Sequence, residues 1–174
     1  MRERLKELIK ELSLSFGDFV LASGERSNFY IDLRMTSLHP EGLDLSASLL
    51  LERLDPGVEA IGGMGMGAYP IVSAMVLKSH LLSRPVPGFL IRKEKKQHGK
   101  GKRIEGWFRK GLRVALVEDV VTTGGSVLKA AQEVKAAGGK VVQVLAVLDR
   151  GGGDRIKSLY PFSSIFTVEE IIGG

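Results

Sequence analysis

The sequence predicts an α/β fold with a central parallel sheet and helices on its faces. From residue 58 onward, short β-branched runs alternate with longer amphipathic segments, which is the pattern of right-handed βαβ units. Glycine-rich turns follow the runs at 58–61 and 114–117, as expected where parallel strands lead into helices. A length of 174 residues suits one domain, residues 1–174, with a sizeable core.

The first 40 residues stand outside this alternation, and we expect them to form a small hood subdomain over the strand ends. Residues 1–13 carry leucine and isoleucine at helical spacing, which predicts an amphipathic helix. Two short apolar runs at 19–21 and 29–31 predict strands, joined by a turn over 23–26.

Each later element has its own local signal. Pro40 can begin a helix whose apolar positions continue to Leu54, and residues 55–57 then form a turn. Thr167 and Glu170 have the spacing of a capping box at a short final helix. The predicted strands are 58–61, 86–91, 114–117, 140–148 and 163–166, and the predicted helices are 68–82, 126–137 and a short one at Glu169.

The stretch 113–128 combines two kinds of binding group. A buried strand is predicted at 114–117, and Glu118 and Asp119 follow where that strand should end. The small residues of 122–126 then lead into a helix, whose first N–H groups can bind an anion. Because ligands of open α/β sheets collect at the carboxyl ends of strands, we expect carboxylates for ribose hydroxyls beside a phosphate site. An ordinary β-turn-α connection with solvated carboxylates is the alternative.

A second glycine-rich loop, 62–67, follows the strand predicted at 58–61. Such dense glycines allow a backbone to approach a ligand closely or to adopt positive φ; a tight strand–helix packing corner is the alternative. The spacing does not match a dinucleotide fingerprint, so a dinucleotide-binding module is poorly supported. No G-x-x-x-x-G-K-[ST] run occurs, and a P-loop NTPase is not supported either.

Composition narrows the class of protein. The chain has no cysteine, which excludes a disulfide framework and a Cys nucleophile and predicts a cytoplasmic protein. No run of about 18 apolar residues exists, so we expect no membrane span, and residues 1–8 lack the apolar core of a signal peptide. His39 and His80 are isolated, so no chelating spacing is present.

Positive charge is concentrated in one segment. Residues 92–113 contain ten Lys or Arg and two Glu, a net +8, so the rest of the chain carries −3 of the total +5. This distribution predicts a local site for a polyanion and no nucleic-acid partner. The run 91–106 is basic, rich in glycine and placed between two predicted core strands. We expect it to be a lid that closes on an anionic substrate; a solvated charge run is the alternative.

These motifs resemble those of a known family. The strand, acid pair and Thr/Gly-rich loop of 113–128 closely resemble the phosphoribosyl-pyrophosphate (PRPP) signature of type I phosphoribosyltransferases. The motif Arg-Lys-Glu-x-Lys-x-His-Gly at 92–99 specifically resembles the catalytic loop of orotate phosphoribosyltransferases. The resemblance covers nearly the whole chain and implies the type I phosphoribosyltransferase fold, a central parallel sheet flanked by helices with an N-terminal hood.

The resemblance also implies roles for individual residues. The implied catalytic residues are Lys96, Glu118 and Asp119. Those implied to bind PRPP or its pyrophosphate are Arg92, Lys93, Lys96, His98, Glu118, Asp119, Val120, Val121, Thr122, Thr123, Gly124, Gly125 and Ser126. Those implied to bind orotate are Phe29, Tyr30, Thr122 and Arg150. Because Phe29 and Tyr30 alternate across a strand, only one of them can face the ligand.

The implied reaction converts orotate and PRPP into orotidine 5′-monophosphate and pyrophosphate in pyrimidine synthesis. Mg²⁺ is the implied cofactor, held through substrate oxygens with no side-chain ligand assigned, and the implied assembly is a homodimer with shared active sites. Two positions depart from the family, since Ala22 and Gly67 replace lysines common in relatives. The alternatives are a purine phosphoribosyltransferase, or a regulator with the PRPP fold that binds nucleic acid through residues 92–113 without turnover.

Overall fold

A computed structural model describes residues 1–20, 24, 26–94 and 103–173. The strands are β1 (Leu14–Val20), β2 (Arg26–Ile31), β3 (Ala60–Met64), β4 (Gly88–Ile91), β5 (Ile104–Gly106), β6 (Arg113–Val121), β7 (Lys140–Asp149) and β8 (Phe162–Thr167). The helices are α1 (Arg2–Leu8), α2 (Arg34–Ser37), α3 (Pro40–Glu52), α4 (Ala68–Leu81), α5 (Gly125–Ala136), α6 (Gly153–Lys157) and α7 (Val168–Ile172).

Six strands form the central sheet in the order β5-β4-β3-β6-β7-β8. Strands β4, β3, β6, β7 and β8 are parallel to one another, and β5 pairs antiparallel with β4 at the edge. The predicted α/β fold with a mainly parallel sheet is therefore confirmed. Because β3 and β6 are neighbours in the middle of this sheet, the glycine loop that follows β3 lies beside the acid pair near the carboxyl end of β6.

Alternating side chains of β6 build two core layers, one on each face of the sheet. Ala115 and Val117 pack with helices α3 and α4, whereas Val114 and Leu116 pack with α5. The run from Val114 to Val117 is fully buried. This burial on both faces explains why the segment is a continuous apolar run and not an alternating one.

The hood segment is a two-stranded antiparallel hairpin of β1 and β2, preceded by α1 and a wide π-helical turn over Ile9–Ser13. Leu5, Ile9 and Ile31 are buried in the same apolar layer as α3 and α4. This packing fixes the hairpin to the helical face that borders β3. Ala22, one of the two departures from the family pattern, lies outside the described residues.

Several element boundaries differ from the sequence predictions. Helical structure continues from α1 through the π-helical turn to Ser13, as predicted, but β1 begins at Leu14, earlier than the predicted 19–21. Glu118 and Asp119 lie inside β6, which continues to Val121, and not after its end. Main-chain pairing with β7 up to Val121 and Asp149 carries the strand past the acid pair. The short elements α2, β5 and α6 were not predicted, because three to five residues give too weak a periodic signal.

The structure contains no helix long and apolar enough to cross a membrane within its described ranges.

Candidate active site

The acid pair, Glu118 and Asp119, lines a cavity of about 550 Å³ beside the carboxyl ends of β3 and β6. The wall combines carboxylates, cations and glycines. Its lining residues are Arg34, Met64, Gly65, Met66, Gly67, Tyr69, Arg92, Lys93, Glu94, Glu118, Asp119, Val120 and Ser126. A cavity of this size at strand ends is where ligands bind in open α/β sheets.

Glu118 and Asp119 occupy different environments although they are neighbours. Glu118 is 6% exposed, and burial, followed by the nearby Asp119, raises the pKa of its carboxyl well above the ordinary value. The positive charge of Lys93 acts in the opposite direction. The carboxylate of Asp119 accepts the N–H of Val120 at 2.8 Å, while the N–H of Asp119 donates to Glu118 Oε1 at 3.2 Å. The pair thus offers one buried and one accessible acid.

The loop after β3 supplies a close backbone wall to the cavity. Gly65 has φ +89°, a left-handed conformation that favours glycine. A side chain at Gly67 would overlap the carboxylate of Asp119. Tyr69, at the start of α4, donates its hydroxyl to the carbonyl of Ile91 at 2.7 Å and so links the loop to β4.

The loop after β6 presents a helix N-terminus. Gly124 precedes α5 with φ +73°, and no side chain among the described residues caps the helix. The hydroxyl of Thr123 accepts the N–H of Gly125, in the first turn, at 3.4 Å. Thr122, Thr123 and Ser126 are exposed. Uncapped N–H groups and exposed hydroxyls form a site suited to a phosphate ester.

The basic segment starts and returns at the cavity. The N–H of Arg92 donates to the carbonyl of Arg103 at 2.9 Å, and its side chain pairs with Glu105 at 3.1 Å. Arg103 pairs with Glu133 of α5 at 2.9 Å. Lys93 lines the cavity beside Gly65. The implied residues Lys96 and His98 lie outside the described residues.

The hairpin and β7 meet beside the phosphate loop. The Arg150 guanidinium carbon lies 5.1 Å from the ring centre of Phe29, and its backbone N–H donates to the carbonyl of Val121 at 2.7 Å. Phe29 also packs on the apolar core, whereas Tyr30 is exposed and contacts Phe19 with 5.6 Å between ring centres. The two aromatic side chains of β2 therefore have different neighbours.

The sequence matches the phosphoribosyl transferase domain family over residues 60–174. It is 41% identical to an orotate phosphoribosyltransferase of Rhodopseudomonas palustris (strain BisB18), with 98% of this chain and 96% of the relative aligned. The chain belongs to the orotate phosphoribosyltransferase family. A solved family member, the Mycobacterium tuberculosis H37Rv enzyme in complex with Fe(III) dicitrate, shares 35% identity at a TM-score of 0.85, with 98% of each chain covered. The same enzyme in complex with PRPP shares 32% identity at a TM-score of 0.80, again with 98% of each chain covered.

Residues that family resemblance selected are distributed over two adjoining regions. The main cavity brings together Arg92, Lys93, Glu118, Asp119, Val120 and Ser126. Phe29 and Arg150 contact each other outside that lining, and Thr122 lies on the loop between the two regions. Val121 is buried and contributes its carbonyl to Arg150. The orotate phosphoribosyltransferase roles of these side chains remain predictions.

Tyr69 and Arg34 line the cavity, although the sequence analysis assigned them no role. Tyr69 belongs to a helix predicted for packing alone, and Arg34 follows the hairpin in a short helix that was not predicted. For Arg34 a weak signal was available, because Asp32 and Arg34 are separated by one residue and can form a local ion pair. The sequence did not indicate that Arg34 would line the same cavity as the acid pair of β6.

Proposed function

We propose that this chain catalyses the reaction of orotate with PRPP to give orotidine 5′-monophosphate and pyrophosphate, a step of pyrimidine synthesis. The observation that carries the proposal is the shared wall of one cavity. Glu118 and Asp119 border it together with the glycine loop 65–67 and with Arg92 and Lys93. A phosphorylated sugar with a diphosphate needs this combination of hydroxyl acceptors, backbone donors and cations. Support also comes from full-length similarity to orotate phosphoribosyltransferases.

In the proposed reaction, a ring nitrogen of orotate forms a bond to the anomeric carbon of the ribose. The bond from that carbon to the diphosphate oxygen breaks, and its electron pair leaves with pyrophosphate. Positive charge develops on the ribose ring, as in other glycosyl transfers. Asp119 and Glu118 hold the ribose hydroxyls and offset this charge, so the contribution of the protein is mainly electrostatic. The phosphate ester binds at the uncapped start of α5.

The basic segment stabilises the leaving group in this proposal. Arg92 and Lys93 stand at its base in the cavity wall, which places cations beside the glycine loop proposed to hold pyrophosphate. We assign Lys96 as the main catalytic cation and His98 as a further pyrophosphate contact, from family resemblance. A low-dielectric site makes such charge neutralisation effective.

Orotate is assigned to the region between the hairpin and β7. Arg150 supports a bidentate contact with the orotate carboxylate, since a guanidinium matches the geometry of a carboxylate. Phe29 is the better aromatic partner, because its ring adjoins Arg150 while Tyr30 contacts Phe19. Thr122 stands on the intervening loop and can hydrogen-bond the base.

The cofactor proposed for this site is Mg²⁺. Carboxylate, phosphate and hydroxyl oxygens are the ligands this hard cation prefers, and the cavity wall supplies three carboxyl groups, those of Glu94, Glu118 and Asp119. No group of three or more His, Asp or Glu able to hold a metal occurs in residues 1–20, 24, 26–94 and 103–173. The donor set therefore fits a cation carried mainly by diphosphate and ribose oxygens, where it would lower the charge of the leaving diphosphate.

We propose a homodimer as the working assembly. An apolar groove of about 250 Å³ lies between α3 and α4, bordered by Leu43, Ala47 and Ala74. Leu77, Leu81 and Leu82 beside it are each more than half exposed. Burying such a patch against a second copy would remove apolar surface from water. Light scattering after gel filtration tests this assembly, and a parent protein of monomer mass would contradict it.

The decisive experiment measures PRPP consumption separately with orotate, adenine, hypoxanthine and uracil, with Mg²⁺ and with a chelator. We expect turnover with orotate only, and loss of that turnover in the chelator. Turnover with a purine base would instead support the purine alternative. Steeply salt-dependent nucleic-acid binding without any turnover would support the regulatory alternative.

Two further proposals concern organisation. Residues 1–174 act as one phosphoribosyltransferase domain in which about 1–40 form the hood, supported by the shared apolar layer of Leu5, Ile31 and Leu50. The cytoplasmic location remains a prediction of the sequence.

A further inference from the structure

Arg34 is fixed in the cavity wall by an ion pair within its own short segment. Its Nε donates to Asp32 Oδ1 at 2.8 Å, and its Nη2 donates to Asp32 Oδ2 at 2.8 Å. The backbone N–H of Arg34 also donates to Asp32 Oδ1, at 3.1 Å. A two-point ion pair of this kind sets the plane of the guanidinium as well as its position.

The opposite edge of the same guanidinium is available to a ligand. Nη1 of Arg34 has no protein partner within the described ranges, and its side chain is 47% exposed while lining the cavity. A guanidinium presents five N–H donors, and a carboxylate pair such as this one uses only two of them. The remaining donors match the oxygens of a phosphoryl group.

The balance of charged groups in the cavity wall depends on Arg34. Among the lining side chains, the cations are Arg34, Arg92 and Lys93, and the carboxyl groups are Glu94, Glu118 and Asp119. The glycine loop 65–67 that follows β3 contributes no cation. Without Arg34, the described wall would hold more acids than bases where a polyanionic substrate is proposed to bind.

Arg34 is distant in sequence from Arg92 and Lys93, the other two cations of the cavity wall. Arg92 and Lys93 belong to the basic segment, whereas Arg34 belongs to α2, directly after the hood hairpin. The pKa of Arg34 is raised mainly by its hydrogen bond and charge interaction with Asp32, and to a smaller extent by Tyr30 and Asp119. Arg34 therefore contributes a positive charge to the cavity wall from the segment after the hood hairpin, separately from Arg92 and Lys93 of the basic segment.

We propose that Arg34 binds phosphoryl oxygens of the diphosphate of PRPP, and of free pyrophosphate, while Asp32 positions its guanidinium. Arg34 thereby provides a cationic contact that the glycine-rich loop, which has no Lys or Arg, does not provide. The part concerning PRPP rests on the proposed function. The part concerning inorganic pyrophosphate does not, since a diphosphate binds by charge and geometry alone.

Calorimetric titration with magnesium pyrophosphate tests the proposal on the full chain. We expect Arg34→Gln to weaken pyrophosphate binding by about tenfold or more, the loss typical of a charge-assisted contact. The KM for PRPP should rise similarly, while the KM for orotate should stay within about twofold. Arg34→Lys should recover part of the affinity, because it restores the charge without the planar fork.

Arg4→Gln is a matched control. Arg4 forms a similar two-point pair with Glu41, at 2.8 and 2.9 Å, and its side chain is also 47% exposed, but it does not line the cavity. This variant should bind pyrophosphate like the parent. Asp32→Asn should weaken binding less than Arg34→Gln, and the double variant should be no worse than Arg34→Gln alone.

Unchanged pyrophosphate affinity in a folded Arg34→Gln protein would overturn the proposal, as would an equal effect on orotate and PRPP. A larger loss in Arg4→Gln would overturn it too, because it would indicate a general charge effect. Absence of orotidine 5′-monophosphate formation by the parent protein would instead reject the proposed function. The pyrophosphate titration would still decide the role of Arg34 in that case.

Discussion

The carboxylate of Asp119 lies against the α-carbon of Gly67, so closely that a β-carbon on Gly67 would overlap it. The backbone of Gly67 has φ −71° and ψ −39°, which any residue can adopt. Glycine is therefore needed here for space and not for conformation. This contact joins the loop after β3 to the acid pair of β6 and fixes the distance between the proposed pyrophosphate and ribose sites.

Gly67→Ala should displace Asp119 without unfolding the protein, because the overlapping atoms belong to a short side chain that can rotate. We expect kcat/KM for PRPP to fall by about tenfold to a hundredfold, with Tm nearly unchanged. In an Asp119→Ala background, which removes the overlap, adding Gly67→Ala should cost little more. Full activity of the single variant would show that Asp119 does not need this position.

Glu118→Gln should separate stability from activity. A carboxyl whose pKa rises on folding favours the folded state at low pH. Its ionisation opposes folding as pH increases from the ordinary 4.5 towards the raised value. The amide removes this cost, so the Tm of the variant relative to the parent should increase as pH rises above 4.5. Turnover should fall by about a hundredfold if the carboxyl serves the reaction. A Tm difference independent of pH would contradict the raised pKa.

Arg150→Gln should impair orotate binding selectively. The guanidinium lies over Phe29 on the side of the proposed base site, and loss of a charged hydrogen bond costs about 1.5–3 kcal/mol. The KM for orotate should rise by about tenfold or more, with little change for PRPP. Arg109→Gln is the control, since Arg109 stacks on Trp107 at 4.1 Å without lining the described cavity. Equal effects on both substrates would argue against a carboxylate contact.

Lys96→Ala should lower kcat by about two to three orders of magnitude while leaving Tm unchanged, because the lysine is assigned to neutralise the leaving diphosphate. Lys135→Ala, on the exposed side of α5, removes the same charge away from the cavity and should turn over normally. Steady-state kinetics at saturating PRPP make the comparison. Near-normal turnover of Lys96→Ala would remove this residue from the mechanism.

Glu170→Ala should destabilise the fold by about 1–2 kcal/mol at pH 7. Glu170 completes a capping box with Thr167 and pairs with Arg2, so it joins the last helix to the first. Its pKa is lowered by the Thr167 N–H and then by Arg2. The stabilisation is therefore present above the ordinary pKa of 4.5 and is lost as pH falls through the lowered value. Urea unfolding at pH 7 and pH 3 measures this difference, with the exposed Glu169→Ala as control.

Local patterns in the sequence predicted most of the sheet. The apolar run 114–117 and the capping box at Thr167 each indicate a conformation that neighbouring residues set. Residues 62–64, predicted as part of a loop, lie instead in β3, because they pair with β4. The alternation of strand and helix patterns also predicted that the strands run parallel, because consecutive strand–helix–strand units join parallel strands by right-handed crossovers. The boundaries of β6 were predicted less well, since pairing with β7 extended the strand through Glu118 and Asp119.

The sequence by itself determined the fold class, the acid pair beside a phosphate loop and the basic segment. The fold class follows from the alternation of short local patterns, and each of the two motifs consists of a few consecutive residues. Only the tertiary structure decided which distant groups share one cavity. The burial of Glu118, the contact of Asp119 with Gly67 and the arrival of Arg34 from the hood depend on how strands and hairpin pack together. Such distances come from the summed packing of the whole core, and no short stretch of the chain encodes them.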